Sequence, residues 1–378
     1  MQSGNSTSPA IDAKNAKFDF DLFKLLARNS TSLVISPFGI YNVLALATNG
    51  ANGITQREMN LVIDKTVSLS RIDMYVKRAS DSLATLDGAG NSDFKLVNSI
   101  FTKTKPSNYI LSIAKSYFRA RVDLLQNATQ INAFVSNSTN GKIDNVIDQP
   151  SVDAARMVLV NAIYFRSSWM YPFDNKNNTQ GSFKIDDTNA RDCVFMNNKF
   201  TKGKVSYLED DDMQILRLPY KNLKLSAVII LPKKMPLNNL IDKINVNSFR
   251  LNVKKLDSKW DIMLTMPRFR VEFQGDIKDA LNQMGMKLAF TDKADFSRMT
   301  NDKAPLYIDK ILHKTFLEVS ETGTEAAAAT AVIMNLTSSP PLPDSPDMKK
   351  MTLDRPFLFM ITHDDLDELL FVSKVVDF

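Results

Sequence analysis

Apolar positions follow a helical spacing in the first quarter of the chain and a strand spacing in most of the second half. Residues 18–28 place Phe18, Phe20, Leu22, Phe23, Leu25 and Leu26 on a helical face. Ser36-Pro37 opens a second helix, with Pro in its first turn. Ile40, Val43, Leu44 and Leu46 are its apolar positions and Gly50 its stop. Helical spacing continues to about residue 86, where Gly88-Ala89-Gly90-Asn91 makes a turn. That turn lacks the third glycine and the preceding strand of a dinucleotide loop.

Further on, 99–102 and 158–165 read as strands, with a helical stretch over 109–148 between them. Strands follow at 214–218, 225–231 and 261–269, then a helix at 277–286 and two final strands at 357–362 and 369–376. Helices early and strands late, intermixed and without an internal repeat, predict an α+β fold.

The segment 318–350 is the unusual one. Ala326–329 has high helix propensity, and one helical turn is the plain reading. The same stretch also has a period of two. Thr324, Ala326, Ala328 and Thr330 share a face with Val332, Met334 and Leu336. A strand with small residues on its buried side suits insertion between two existing strands. It runs into Ser338-Ser339-Pro340-Pro341-Leu342-Pro343-Asp344-Ser345-Pro346, which cannot pair in a central strand and predicts an extended, protease-accessible loop.

Composition narrows the chemistry. The 378 residues carry 47 basic and 42 acidic side chains, a mild net charge of +5 with both signs mixed throughout, which gives no argument for nucleic acid. No apolar run reaches the ~18 residues of a membrane span. One cysteine, Cys193, excludes an internal disulfide and a cysteine-based zinc site. Two histidines, His313 and His363, exclude a multi-histidine metal centre. Residues 1–16 are polar and read as a flexible segment ahead of one domain over 17–378. Asn-X-Ser/Thr sequons occur at Asn5, Asn29, Asn127, Asn137, Asn177 and Asn335. They favour a secreted glycoprotein, with a cytoplasmic location as the alternative.

Short motifs along nearly the whole chain come in one family's order. They are Ser36-Pro37 with Gly50-Ala51; Ile131-Asn132-Ala133-Phe134-Val135 with Thr139-Asn140-Gly141-Lys142-Ile143; and Asn161-Ala162-Ile163-Tyr164-Phe165 with Trp169. Leu218-Pro219-Tyr220, Pro267-Arg268-Phe269, Ala294-Asp295-Phe296-Ser297, His313-Lys314 and Arg355-Pro356-Phe357 follow. In this the chain resembles the serpins. The resemblance implies three β-sheets, about nine helices and an exposed reactive-centre loop, here at about 321–352. It further implies no enzyme and no cofactor. A suicide substrate traps a serine protease when its cut loop inserts into the main sheet.

Carried over residue by residue, the hinge is Glu321, Gly323, Thr324, Glu325, Ala326, Ala327, Ala328, Ala329 and Thr330. It carries no charge on the inward face, where an unpaired charge would be buried on insertion. Ser36, Asn161 and His313 are implied to lie under the centre of the main sheet, and Trp169 with Glu321 at its top. Gly39 stands where the family usually has serine, which predicts a looser network. Phe134 replaces a common tryptophan, and Ser373-Lys374-Val375 lacks the usual glycine.

Counting from Glu321 puts the reactive bond at Thr337–Ser338, with Leu336–Thr337 as the alternative. Counting back from Pro356 would choose Ser345, among prolines. Thr or Leu there suits an elastase-like or chymotrypsin-like protease. The basic pair Lys349-Lys350 lies too far along to trap a trypsin-like one. Arg71, Lys77 and Arg78 are the candidates for a glycosaminoglycan partner. A monomer is expected. The non-inhibitory alternative, a carrier or binding protein, rests on the long Pro-rich loop, the Asn335 sequon and Gly39.

Overall fold

The first two predicted helices form as α1 (Lys17–Leu26) and α2 (Pro37–Gly50). All 14 positions of α2 are buried, so it is the axis of the fold rather than a surface helix. Ser36 caps it, with Oγ accepting from the Gly39 N–H at 3.1 Å. The computed structural model describes residues 17–378 apart from 30, 66, 87, 89–91, 303 and 325–347. Among the described residues are ten α-helices and three sheets. The other helices are α3 (Gly53–Asp64), α4 (Leu69–Ala84), α5 (Asn108–Ile113), α6 (Ala128–Ser138), α7 (Gln149–Ala154), α8 (Leu237–Lys243), α9 (Val246–Lys255) and α10 (Lys278–Gln283).

One six-stranded sheet joins β1 (Leu33–Ile35) to β7 (Ser206–Glu209), β8 (Met213–Pro219), β9 (Leu225–Pro232), β15 (Phe357–His363) and β16 (Glu368–Val375) in the order β1-β16-β15-β9-β8-β7. A four-stranded sheet runs β14 (Met348–Thr352), β10 (Asp261–Pro267), β6 (Ala190–Phe200), β5 (Thr179–Lys184). The third, the main sheet, contains β2 (Asp93–Thr102), β3 (Arg121–Leu124), β4 (Met157–Ser168), β11 (Phe269–Asp276), β12 (Lys310–Ser320) and the two-residue β13 (Gly323–Thr324), ordered β11-β12-β13-β4-β2-β3.

The main sheet separates two apolar layers. The larger core lies on its α2 side. The smaller one lies between its other face and α6, whose Ile131 and Val135 point down onto Val97, Phe101 and Val160. Asn132 of α6 and its C-cap residue Thr139 hold the chain that returns beneath it. Asn132 Oδ1 accepts from the Val146 and Ile147 N–H groups at 2.9 and 3.2 Å, and its Nδ2 donates to the Ile147 carbonyl. Thr139 Oγ1 accepts from the Ile143 N–H at 3.1 Å. Phe134 packs edge-on to Phe101, with the Arg121 guanidinium 4.9 Å from its ring.

Several expectations need correction. The predicted helical stretch 109–148 is broken. After α5 one π-turn runs from Ala114 to Phe118, Arg119 takes a left-handed φ of 49°, and β3 follows as an edge strand. Local propensity is overridden there by pairing with β2. The strand read at 261–269 stops at Pro267, and Phe269 already belongs to β11 of the main sheet, which had no counterpart in the reading beyond that residue. Strands β5 to β7 and helices α8 and α9 had no counterpart in the reading. The C-terminal Lys374 is buried, and its Nζ donates to the Ala27 and Asn29 carbonyls just past α1, where a cation offsets the helix's negative end.

Replacing Asn132 by alanine leaves the Val146 and Ile147 N–H groups without their acceptor. We expect a loss of about 1–3 kcal/mol, read as a lower urea midpoint with unchanged slope.

Candidate functional site

Strand register builds the centre of the site. At one height across the main sheet, Gly275 pairs with His313, His313 with Asn161, and Asn161 with Asn98. The Ser36 N–H donates to His313 Nε2 at 3.1 Å. That leaves the ring proton on Nδ1, which donates to Asn161 Oδ1 at 2.8 Å. Asn161 Nδ2 donates in turn to Asn98 Oδ1 at 2.7 Å. One unbroken chain therefore ties the start of α2 to three adjacent strands. Burial, opposed only weakly by the bond at Asn161, pushes His313 down to about 3. The ring is a neutral connector.

The looser network expected from Gly39 is not found. A Cβ at Gly39 would lie 2.6 Å from both terminal atoms of the Asn161 carboxamide, so the carboxamide fills the space that a serine side chain would need.

At the upper end, β4 and β12 part. They pair in parallel from Val158 with Lys310 to Ile163 with Thr315. Above that point Gly323 and Thr324 sit between them, antiparallel to both. Gly323 is needed there: a Cβ would lie 2.1 Å from the Ser167 carbonyl oxygen. Thr324 is 1% exposed, and its Oγ1 lies 2.6 Å from the Tyr220 hydroxyl. Tyr220 stacks on the fully buried Trp169 at 4.5 Å. Trp169 donates from its backbone N–H to the Thr322 carbonyl and from Nε1 to the Ser320 carbonyl, both at 2.9 Å. The Glu321 carboxylate, 5% exposed, accepts from Arg268 Nε and from Asn178 Nδ2, both at 2.6 Å. Trp169, Glu321, Gly323 and Thr324 thus meet at one place. Ser36, Asn161 and His313 meet at another, lower in the same sheet.

The rest of the proposed hinge, Glu325 to Thr330, lies outside the described residues, as do Leu336, Thr337, Ser338 and Asn335. Thr324 in the main sheet is the last described residue before them, and Met348 in the four-stranded sheet is the first after them. Lys349 and Lys350 lie in β14, paired with Ile262 and Met263 of β10. Lys349 is also 3.5 Å from Glu209, with its Nζ 5.0 Å from the Trp260 ring centre.

The chain matches the family model described as "Serpin (serine protease inhibitor)" over residues 13–378. This chain is a serpin. It is 31% identical to leukocyte elastase inhibitor A of Mus musculus, over 97% of this chain and 98% of that protein. It is 30% identical to intracellular coagulation inhibitor 2 of Tachypleus tridentatus, over 95% of this chain and 89% of that one. The native-state crystal structure of the thermophilic serpin tengpin superposes with a TM-score of 0.85 at 27% identity, covering 100% of this chain and 96% of that one.

Other candidate residues of this serpin are more dispersed. Arg71 and Arg78 are exposed two turns apart on α4, with the partly exposed Met74 between them. Lys77 is instead paired with Asp81 at 2.8 Å, and Asp81 also holds Arg119. Asn29, Asn127, Asn137 and Asn177 are all exposed. Asn127 Oδ1 caps α6 by accepting from the Gln130 N–H. Four residues of the two clusters were not singled out from sequence. Tyr220 and Arg268 stood inside quoted motifs without a role. Asn98 and Asn178 have no sequence signal, since only pairing brings them in.

The neutral His313 makes stability depend on pH. In the unfolded chain the ring takes up a proton below about 6.5, whereas the folded site resists it down to about 3. Stability from this site is therefore complete above about 6.5. It should fall by up to about 1.4 kcal/mol per pH unit as pH drops towards 3. Urea melts from pH 7 to 4 should show a shallower fall in His313→Gln. His363, also pushed down by burial, contributes the same sign to both proteins and cancels in the difference.

Proposed function

We propose that this serpin is an inhibitor of an elastase-like or chymotrypsin-like serine protease, cut at Thr337–Ser338 and acting by insertion of its cut loop into the main sheet. The observation that carries this reading is the seat of Gly323 and Thr324 between β4 and β12. Insertion would continue this register. Ala326 would face Phe165 and Leu317, Ala328 would face Ile163 and Thr315, and Met334 would reach Met157 at the far end of β4. Insertion thus consumes the chain to about residue 334, and Thr337 falls just past the end of the sheet. A bond at Ser345 would leave a further eight residues of slack between protease and sheet. The hinge-side count is the one that suits trapping.

The same register puts Thr330 between Asn161 and His313. Insertion must break the 2.8 Å bond joining those two residues. The Thr330 hydroxyl can donate and accept in its place, so no buried polar group is left without a partner. In the inserted register Glu325 would fall on the outward face. In the proposed reaction the target's serine attacks the Thr337 carbonyl, the Ser338 amine leaves, and the acyl-enzyme is carried along the sheet before water reaches it. A trypsin-like target is disfavoured, because Lys349 and Lys350 are held in β14. Regarding compartment, secretion rests on the sequons alone. The Tachypleus relative is by its name intracellular, which supports the cytoplasmic alternative for this chain.

The test is incubation with pancreatic elastase and with chymotrypsin, followed by a denaturing gel and mass analysis of the released peptide. A stable adduct and a peptide beginning at Ser338 or Thr337 are expected. Thr330→Arg should be cleaved at the same bond with adduct reduced at least tenfold, because its charge would be buried unpaired. Cleavage of the unaltered chain without adduct, and with no rise in melting temperature of the cut form, overturns the reading in favour of a non-inhibitory serpin.

A further inference from the structure

A polar cleft lies past the C-terminal end of β2, at the opposite end of the main sheet from Gly323 and Thr324. Its volume is about 570 Å³, within the range of about 300–1,000 Å³ typical of small-molecule sites. Ser107, Asn108 and Tyr109 line one side, at the start of α5. Ser297, Arg298 and Asn301, from the loop that precedes β12, line the other.

The floor of the cleft is fixed by cross-links between these two segments. Pro106 and Thr300 form an antiparallel bridge. The Ser107 N–H donates to the Met299 carbonyl at 2.9 Å, and Ser107 Oγ donates to the Arg298 carbonyl at 2.6 Å. Thr300 Oγ1 donates to the Lys105 carbonyl at 2.9 Å. The loop also rests on the end of α2: the Arg298 N–H donates to the Gly50 carbonyl at 3.2 Å, and the buried Met299 fills the space beside Gly50. Side chains above such a floor start from fixed positions, as a binding site requires.

The rim is built differently. Asn108, Tyr109, Arg298 and Asn301 are all exposed. Among the described residues, the side chains of Asn108, Tyr109 and Asn301 have no hydrogen-bond partner and Arg298 has no ion pair. The acid nearest in charge to Arg298 is Asp295, which does not line the cleft. Its carboxyl is held below the usual range first by hydrogen bonds from Ser297, with Asn52 and the charge of Arg298 adding to them. The cleft therefore offers one cation, two carboxamides and one aromatic ring that is 44% exposed, with no carboxylate among its lining residues.

We propose that this cleft binds a sugar acid carrying a single carboxylate. The guanidinium of Arg298 matches one carboxylate through paired hydrogen bonds. A phosphate or a sulfated chain would bring two or more charges to a single cation. Each carboxamide both donates and accepts, which suits the ring hydroxyls of a sugar at Asn108 and Asn301. The electron-rich face of Tyr109 takes the C–H face of the sugar ring. The cleft is separate from the α4 face of Arg71, Lys77 and Arg78, and the inference stands whether or not the chain traps a protease.

The experiment is saturation-transfer NMR of the full chain titrated with methyl β-glucuronide. Methyl β-glucoside is the match that keeps the ring and loses the charge, and acetate the match that keeps the charge and loses the ring. We expect one saturable site for the glucuronide, with both matches bound at least tenfold more weakly. Arg298→Gln and Tyr109→Ala, both at exposed positions, should keep the melting temperature and each weaken the glucuronide at least tenfold. Tyr109→Phe should bind as the unaltered chain does, because the ring and not the hydroxyl makes the contact. No saturable binding overturns the proposal. So does equal affinity for the glucoside or acetate, unchanged affinity in Arg298→Gln or Tyr109→Ala, or a loss in Tyr109→Phe as large as that in Tyr109→Ala.

Discussion

The closed main sheet depends on one row of hydrogen bonds. It begins at a backbone N–H of α2's cap and passes through a neutral imidazole and two carboxamides. Every member is buried, so each bond lacks competition from water and each broken bond leaves a costly unmet group. The row is polar in the middle of an apolar core, and it crosses from β12 to β4 and on to β2.

The top of the sheet is built on the opposite arrangement. There the strands are already apart, and two residues of the segment leading to the loop occupy the gap. Glycine permits this because no side chain fits beside the Ser167 carbonyl. The Trp169 and Tyr220 rings, the Glu321–Arg268 pair and the Asn178 amide hold the entry in place. The sheet is open where it is stabilised by aromatic packing and ion pairing, and shut where it is stabilised by directional bonds between strands.

Much of this was legible in the chain. α1 and α2 were read from apolar spacing and the Ser36-Pro37 start, because both are long and their caps are local signals. The strands around Asn161 and the last two of the chain were read from continuous apolar runs, which buried strands require. Edge strands gave no such run. β5 shows only one buried residue in six, so its sequence is mostly that of a surface. β3 was absorbed into a helical reading because four residues cannot establish a period. The end of β10 was placed two residues late because Phe269 is another apolar residue just past it, and β11 was missed because its exposed, charged positions break the apolar run.

Of the candidate site, the sequence by itself determined the types of residue and their order: an imidazole, a carboxamide, a glycine followed by small residues, and a proline-rich tail. Those follow from local chemistry, which travels with the residue wherever the chain goes. Only the tertiary structure decided which of them touch. Asn98, Asn161 and His313 lie 63 and 152 positions apart, and a one-residue slip in either pairing would turn a side chain to the opposite face. The same is true of Gly39, where sequence predicted a missing hydroxyl. Packing shows instead that the neighbouring carboxamide occupies its place, because the shape of a site is set by what the opposing strand brings to it.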